Sequence, residues 1–195
     1  NQALARLALS QPTLAVHGYT PAAGDSRARE NIADDLNQRF QTSFGPGDLF
    51  LTCGAAPALV AVMHALTEAG EGNEFIVSAP FFPEYRVFVE GAGAKLKVLP
   101  AQTEDFQIDL IALAAAINPK TRALIVNSPN NPSGVIYSAE TIRALADLLI
   151  AKATEIGHPI YIISDEPYRE LAFHGRAVPF IPHYYDDTLI CYSYS

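Results

Sequence analysis

A carboxylate and a phenol stand directly after one of the most apolar runs of the chain. Asp165 and Tyr168 come after Ile160–Ser164, a run typical of a buried strand. A carboxylate at the end of such a strand needs a partner, because burying it alone is costly. Taken alone, the pair favours a simpler interpretation, in which Asp165 caps a helix and Pro167 lies in its first turn. A functional role therefore depends on the groups at the ends of the other strands.

A dense turn follows the predicted strand Arg122–Asn127. It reads Ser128-Pro-Asn-Asn-Pro-Ser-Gly134, and its asparagines, Asn130 and Asn131, tolerate unusual backbone angles and carry both donors and acceptors. An Asx-type turn is the simpler interpretation. It is the less favoured one here, because ligands of open α/β sheets bind beyond the carboxyl ends of the strands.

Two further predicted strands end in groups of a different kind. Asp48–Thr52 is followed by Cys53-Gly-Ala-Ala-Pro-Ala-Leu59, whose small residues run into a helix and let backbone N–H groups approach an anion. Glu74–Ser78 is followed by Ala79-Pro-Phe-Phe-Pro-Glu-Tyr85, where two prolines can present a ring face rigidly. Taken alone, the first segment favours an ordinary strand-to-helix turn, and the second is explained as well by an ordinary apolar turn. Together the four strand ends indicate a pocket for a flat, aromatic, phosphorylated molecule that contains nitrogen.

The elements that must position these groups alternate along nearly the whole chain. Strands are predicted at Asp48–Thr52, Glu74–Ser78, Lys95–Leu99, Arg122–Asn127, Ile160–Ser164 and Thr188–Tyr192. Helices are predicted at Ser26–Phe44, Ala56–Ala69, Glu84–Gly91, Leu110–Ile117 and Ala139–Ile156. This alternation predicts an α/β fold, in which a mainly parallel sheet carries helices on both faces.

The composition excludes several other classes of protein. The 195 residues are 49% apolar and 17% charged, which is too apolar for a disordered chain. The net charge of −8, without clustered Lys or Arg, argues against a nucleic-acid partner, and no apolar stretch is long enough to span a membrane. Two cysteines favour a reducing cytoplasm, and the scattered histidines show no metal-ligand spacing, so no metal is expected.

The motifs resemble, in their order, those of the fold type I pyridoxal-phosphate enzymes, specifically the class I/II (aspartate aminotransferase-like) aminotransferases. The matching segments cover nearly the whole chain and are Tyr19-Thr-Pro-Ala-Ala-Gly24, Gly54-Ala-Ala-Pro-Ala-Leu59, Pro80-Phe-Phe-Pro-Glu-Tyr85, Asn127-Ser-Pro-Asn-Asn-Pro-Ser-Gly134, Asp165-Glu-Pro-Tyr168 and Ser193-Tyr-Ser195. The resemblance implies that residues 1–195 form an incomplete large, cofactor-binding domain. A small C-terminal domain would lie outside the chain.

The resemblance also implies roles for single residues around pyridoxal 5′-phosphate. Asp165 would face the pyridine nitrogen and keep it protonated. Asn131 and Tyr168 would hydrogen-bond the phenolate oxygen, and Phe82 would stack on the ring. We therefore expect Asp165 and Tyr168 to take part in catalysis.

The phosphate would be held at two strand ends. The backbone N–H groups of Ala55 and Ala56, directly after Gly54, would contact it together with the hydroxyls of Ser193 and Ser195. In this family a Schiff-base lysine comes directly after Ser-x-Ser, so we expect it immediately after Ser195. The lysines within the chain do not match that position; they are Lys95, Lys97, Lys120 and Lys152.

The activity that this resemblance implies is transfer of an amino group between an amino acid and a 2-oxo acid through a pyridoxal-phosphate Schiff base. The expected assembly is a homodimer in which Tyr19 reaches the phosphate of the partner subunit. A lyase or carbon–carbon bond-forming synthase on the same scaffold stays open, since fold does not fix function. So does the aminotransferase-like sensor domain of a transcription regulator, although no basic helix-turn-helix is evident. A nucleotide-binding domain is disfavoured, because both glycine-loop fingerprints are missing.

Overall fold

Five parallel strands form the sheet of this protein in a computed structural model that describes residues 2–10, 12, 17–69 and 72–194. They are β1 (Glu74–Ser78), β2 (Lys95–Leu99), β3 (Thr121–Asn127), β4 (Tyr161–Glu166) and β5 (Thr188–Tyr192). Their order in the sheet is β2-β1-β3-β4-β5, and each neighbouring pair is parallel. The sequence prediction of a parallel α/β sheet is confirmed.

The described helices are α1 (Gln2–Ser10), α2 (Ser26–Phe40), α3 (Ala55–Leu66), α4 (Glu84–Gly91), α5 (Leu110–Ala116) and α6 (Ala139–Ile156). The chain divides into two units, residues 1–52 and 53–195, and the sheet belongs to the second. Across the described ranges, every helix is too short or too polar to cross a bilayer.

Helices cover both faces of the sheet, as predicted. Strand residues alternate between the faces, so Ile76 of β1 packs in the cluster that contains Leu113 of α5 and Leu145 of α6. Its neighbour Phe75 packs on the opposite face, in the cluster that contains Met63 of α3 and residues of α4. Both clusters are buried, and they hold the central strands in place.

The strand order reverses between β1 and β3. The chain leaves β1 toward β2 at one edge, then returns past β1 to form β3 on the other side. Such a reversal opens a crevice at the carboxyl ends of the two strands, which is where ligands of doubly wound sheets bind.

The unit formed by residues 1–52 contains α1, α2 and a 3-10 turn at Pro46–Asp48. The strand predicted at Asp48–Thr52 is wrong: residues 49–52 are neither helix nor strand, and Phe50 is exposed. A strand needs a neighbour, and none of the described strands pairs with this segment. Instead the Leu51 amide donates to the carbonyl oxygen of Ala23. The helix α1 was not predicted.

Helix α2 ends earlier than its predicted end at Phe44. Gln41 adopts a left-handed conformation with φ 54° after the last helical residue, Phe40. The Asn37 side chain then accepts hydrogen bonds from the Phe44 amide at 2.7 Å and the Thr42 hydroxyl at 2.8 Å. These contacts hold residues 41–44 in a turn rather than in the helix.

Candidate active site

A cavity of about 150 Å³ lies at the carboxyl ends of β3 and β4. Residues from four separate segments of the second unit line it, namely Ala55, Leu59, Phe82, Asn127, Asn131, Asp165, Pro167 and Tyr168. Ala55, Phe82, Asn131, Asp165 and Tyr168 were predicted as site residues. Sequence reasoning missed the other three.

Asp165 is the buried carboxylate of this cavity. It is the fifth residue of β4 and only 5% exposed. No helix begins at Asp165 or Pro167, so the interpretation as a helix cap is wrong; the next helical turn is the short 3-10 segment Arg169–Leu171. The Tyr85 hydroxyl donates to Oδ2 of Asp165, whereas Oδ1 is buried without a hydrogen-bond partner among the described residues.

The surroundings of Asp165 raise the pKa of its carboxyl above the ordinary value for an aspartate. Burial raises the pKa of its carboxyl to about 6, against the lowering effect of the hydrogen bond from Tyr85. The negative charge of neighbouring Glu166 also raises it. The carboxylate therefore stands where a cationic partner within the cavity would stabilise its charged form.

Asn127 connects the last residues of β3 and β4 to the turn after β3. Its Nδ2 donates to the main-chain oxygen of Asp165 at 2.9 Å and lies 3.5 Å from Oδ2. Its Oδ1 accepts from the amide of Asn131 at 2.7 Å. The available signal for this residue was a lone polar side chain that ends the apolar run Ala123–Val126.

Asn131 and Tyr168 bring two polar groups together in the cavity. Nδ2 of Asn131 lies 3.4 Å from the hydroxyl of Tyr168, which accepts its hydrogen bond. The two residues come from different loops, one after β3 and one after β4. A single oxygen of a bound molecule could therefore contact both groups.

Phe82 forms one side of the cavity, and the ring of Tyr85 packs against it. The rings of Phe82 and Tyr85 meet edge to face, with centroids 5.5 Å apart at 78°. Tyr85 is fully buried and belongs to α4, and its hydroxyl reaches Asp165. Sequence reasoning missed Tyr85 as a site residue, since its partner Asp165 is 80 positions away.

The N-terminus of α3 opens toward the cavity at Ala55. Gly54 precedes it with φ 111°, a conformation that residues with a side chain rarely adopt. Gly54 and Ala56 do not line the cavity, and both are exposed. Since the first N–H groups of a helix have no partner within that helix, this turn is suited to binding an anion.

Three predicted residues lie elsewhere. Ser193 is half-buried directly after β5 and does not line the cavity, and Ser195 lies outside the described residues. Tyr19 belongs to the first unit, where its side chain is fully exposed. Its predicted role toward a phosphate thus stays a prediction.

Glu166, the residue after Asp165, forms a buried ion pair with Arg169. Nε of Arg169 lies 2.5 Å from Oε2 of Glu166, and Ser164 donates to Oε1 at 2.7 Å. Arg169 also donates to the carbonyl oxygens of Val178 and Pro179, each at 2.8 Å. These contacts compensate the Glu166 charge and tie the segment after Tyr168 to the sheet. Sequence reasoning missed this pair.

Comparison with known proteins identifies the family of this chain. The profile of the family described as aminotransferase class I and II matches residues 2–195. The chain belongs to this family. Its similarity to a solved aminotransferase from Eubacterium rectale covers 100% of this chain and 49% of that one, with 52% identity and a TM-score of 0.94.

Other members of the aminotransferase family are more distant. A probable aspartate/prephenate aminotransferase of Thermus aquaticus is 35% identical over 158 residues, which are 80% of this chain and 39% of that protein. A structure of Thermus thermophilus aspartate aminotransferase with maleate is 33% identical, with a TM-score of 0.79 over 97% of this chain and 47% of that one. The chain thus spans about two fifths of the curated relative and about half of the solved structures.

Proposed function

We propose that this protein is a pyridoxal-phosphate-dependent aminotransferase that moves an amino group between an amino acid and a 2-oxo acid. Family membership supports the reaction class. The observation that supports the cofactor is Oδ1 of Asp165, a buried acceptor in a cavity with no partner among the described residues. Such an atom is costly unless a ligand pairs with it, and a protonated ring nitrogen would do so.

The remaining lining residues fit the rest of the cofactor. Phe82 offers a ring face, and Asn131 with Tyr168 offers polar contacts for the phenolate oxygen. The first turn of α3 after Gly54, together with Ser193 and Ser195, is proposed to bind the phosphate. When bound, pyridoxal phosphate supplies an electron sink for the substrate carbon that loses its proton.

Asp165 has the central role among the chain's own residues in this proposal. Its charged form would hold a proton on the ring nitrogen, which is the state in which the ring withdraws electrons. Asn131 and Tyr168 would orient the ring through its oxygen, while Phe82 would keep water from one face. Asp165 and Tyr168 are therefore the proposed catalytic residues of this chain.

The proposal includes a cytoplasmic homodimer in which each subunit lends Tyr19 to the partner site. Exposure of Tyr19 is compatible with such a contact. A symmetric dimer would form both shared sites at once. The proposed location rests on the two cysteines, which are both free in the structure.

Peptide mapping of the full-length protein tests the cofactor and its attachment. The protein is loaded with pyridoxal phosphate, reduced with borohydride, digested and analysed by mass spectrometry. We expect the label on a lysine immediately after Ser195. A label on Lys97 or Lys152 would contradict the proposal; both have other partners, the Ala116 carbonyl oxygen and Glu155.

A product assay separates the reaction classes. With an amino acid and a 2-oxo acid, an aminotransferase transfers the amino nitrogen, which an isotope label on that nitrogen traces. Turnover without any 2-oxo acid would instead indicate a lyase or a synthase. Cofactor binding without turnover of any amino acid would favour a sensor domain.

A further inference from the structure

We propose that Tyr85 is a positioning residue for the cofactor: its hydroxyl holds Oδ2 of Asp165, so that Oδ1 is the oxygen presented to the ring nitrogen. This inference rests on the proposed function. It concerns a residue of α4 that does not line the cavity.

The two oxygens of Asp165 have unequal surroundings. Oδ2 accepts from the Tyr85 hydroxyl and lies 3.5 Å from Nδ2 of Asn127, whereas Oδ1 is buried and has no partner among the described residues. A carboxylate with both oxygens free could rotate and present either of them. Two donors on one oxygen fix the rotation and leave the other oxygen for a ligand.

Tyr85 can act only as a donor in this contact. Burial first, and then the adjacent charge of Asp165, raise the pKa of its hydroxyl far above its usual range. The proton therefore stays on Tyr85, and the hydrogen bond favours the charged form of the carboxylate without adding a charge. Burial raises the pKa of Asp165, and the hydrogen bond from Tyr85 partly offsets this increase.

The other ionisable groups around Asp165 have different surroundings. Cys191, its register neighbour on β5, has a thiol pKa that burial and the nearby carboxylates raise to about 12. Glu166 lies on the same strand and is paired with Arg169. Tyr168 is engaged by Asn131.

The Tyr85 ring has a second function in the same site. It packs edge to face against Phe82, the ring that we expect to stack on the cofactor. It also lies nearly parallel to Phe81, with centroids 6.5 Å apart. One buried side chain thus braces both the carboxylate and the aromatic wall, and a test must separate these two effects.

Tyr85→Phe separates them, because it keeps the ring and removes only the donor. The matched control is Tyr185→Phe, which removes another buried hydroxyl, one that donates to the Ile160 carbonyl oxygen at 2.7 Å outside the cavity. The full-length apoprotein is titrated with pyridoxal phosphate and with its 1-deaza analogue, in which C–H replaces the ring nitrogen. The ratio of the two dissociation constants reports the contact between Asp165 and that nitrogen.

We expect the unsubstituted protein to prefer pyridoxal phosphate once Asp165 is ionised. In Tyr85→Phe the preference at neutral pH should fall about tenfold, and the pH at which it appears should rise by about one unit. Tyr185→Phe should change neither. Tyr85→Phe should also have no effect on the ratio in an Asp165→Asn background, where the carboxylate is already absent.

Four results would overturn the inference. An unchanged ratio in Tyr85→Phe, or an equal loss of affinity for both compounds, would show that Tyr85 contributes packing alone. A reduced ratio that persists in the Asp165→Asn background would show that Tyr85 acts by another route. Failure of the unsubstituted protein to bind either compound would overturn the proposed function itself, and this inference with it.

Discussion

Asn127 of β3 and Asp165 of β4 are paired in the sheet, and Nδ2 of the Asn127 side chain donates to the Asp165 carbonyl oxygen at 2.9 Å. The same side chain accepts from the Asn131 amide at 2.7 Å. One amide group thus connects the carboxyl ends of two neighbouring strands with the loop that supplies Asn131. The site depends on this connection, because Asp165 and Asn131 both line the cavity.

Asn127→Ala should destabilise the fold. The substitution leaves a buried acceptor on Asp165 and a donor on Asn131 without their partner, at a cost of about 2–3 kcal/mol in the free energy of unfolding. Chemical denaturation measures this loss. Asn31→Ala, on an exposed position of α2, is the control and should change the free energy by less than about 0.5 kcal/mol. Equal effects of both variants would contradict the connecting role of Asn127.

Asp165→Ala should lower turnover by about 10²–10³, even where the cofactor still binds. The reason is electronic, since a ring nitrogen without its carboxylate loses its proton more easily. Steady-state kinetics at saturating cofactor measures the effect. Asp147→Ala, on the exposed face of α6, should leave turnover unchanged. Near-normal turnover of Asp165→Ala would show that the carboxylate has no role in the reaction.

The stability of the apoprotein should fall with rising pH because of Asp165. Its folded-state pKa of about 6 lies above the ordinary value of 3.8, so the folded protein binds this proton more tightly than the unfolded chain. Asp165 therefore adds up to about 3 kcal/mol to the free energy of unfolding. This stabilisation is fully present below pH 3.8 and is lost as the pH rises through about 6. Unfolding of the apoprotein and of Asp165→Asn across this range gives the difference. A difference that is constant with pH would contradict the raised pKa.

Arg169→Ala should destabilise the protein more than removal of both ionic partners. The single change leaves Glu166 as a buried, uncompensated charge, which costs about 3–5 kcal/mol. The double variant Glu166→Gln with Arg169→Met should recover part of this loss, because no charge remains buried. Thermal unfolding compares the two proteins. A double variant less stable than the single one would show that the pair contributes more than charge compensation.

Mixed dimers test the proposal that the protein is a homodimer in which Tyr19 acts across the subunit interface. Tyr19→Phe and Asp165→Ala subunits are combined at limiting cofactor, after each variant has been shown to lose activity alone. If Tyr19 serves the partner site, a mixed dimer contains one site with both lesions and one intact site, so activity returns toward half. If it serves its own subunit, every site keeps one lesion. Mixing then restores nothing.

Apolar runs made the central strands of the fold predictable. Strands β3 and β4 are buried on both faces, and residues such as Leu124 and Ile162 allow few alternatives to a covered strand. The segment 49–52 has a similar local pattern but no partner strand among the described residues, so the same reasoning failed there. Strand pairing is a long-range property that a local pattern does not contain.

The candidate site was predictable in part from the polar groups at and just after the strand ends. Asp165 near the end of β4 and Asn131 in the turn after β3 were both predicted, and the structure places both in one cavity, whereas Asn127, the last residue of β3, was missed. Tyr85 was also missed, because it lies on the helix α4 and reaches the site through a side-chain contact with a distant residue. Arg169 was missed for a related reason: a charged residue near a strand end resembles a solvated one until its burial is known.

The 80-residue separation between Tyr85 and Asp165 has a consequence for synthesis of the chain. A ribosome makes the protein from its N-terminus, so Tyr85, Phe82 and the start of α3 all emerge long before Asp165. The long loop between the two contact residues can close only after β3 and β4 exist, which makes this contact a late event in folding. A nascent chain that ends before residue 165 therefore contains Phe82 and the start of α3, but it lacks Asp165 and Tyr168 and cannot form the complete cavity. The cavity is therefore complete only after β4 has joined the sheet.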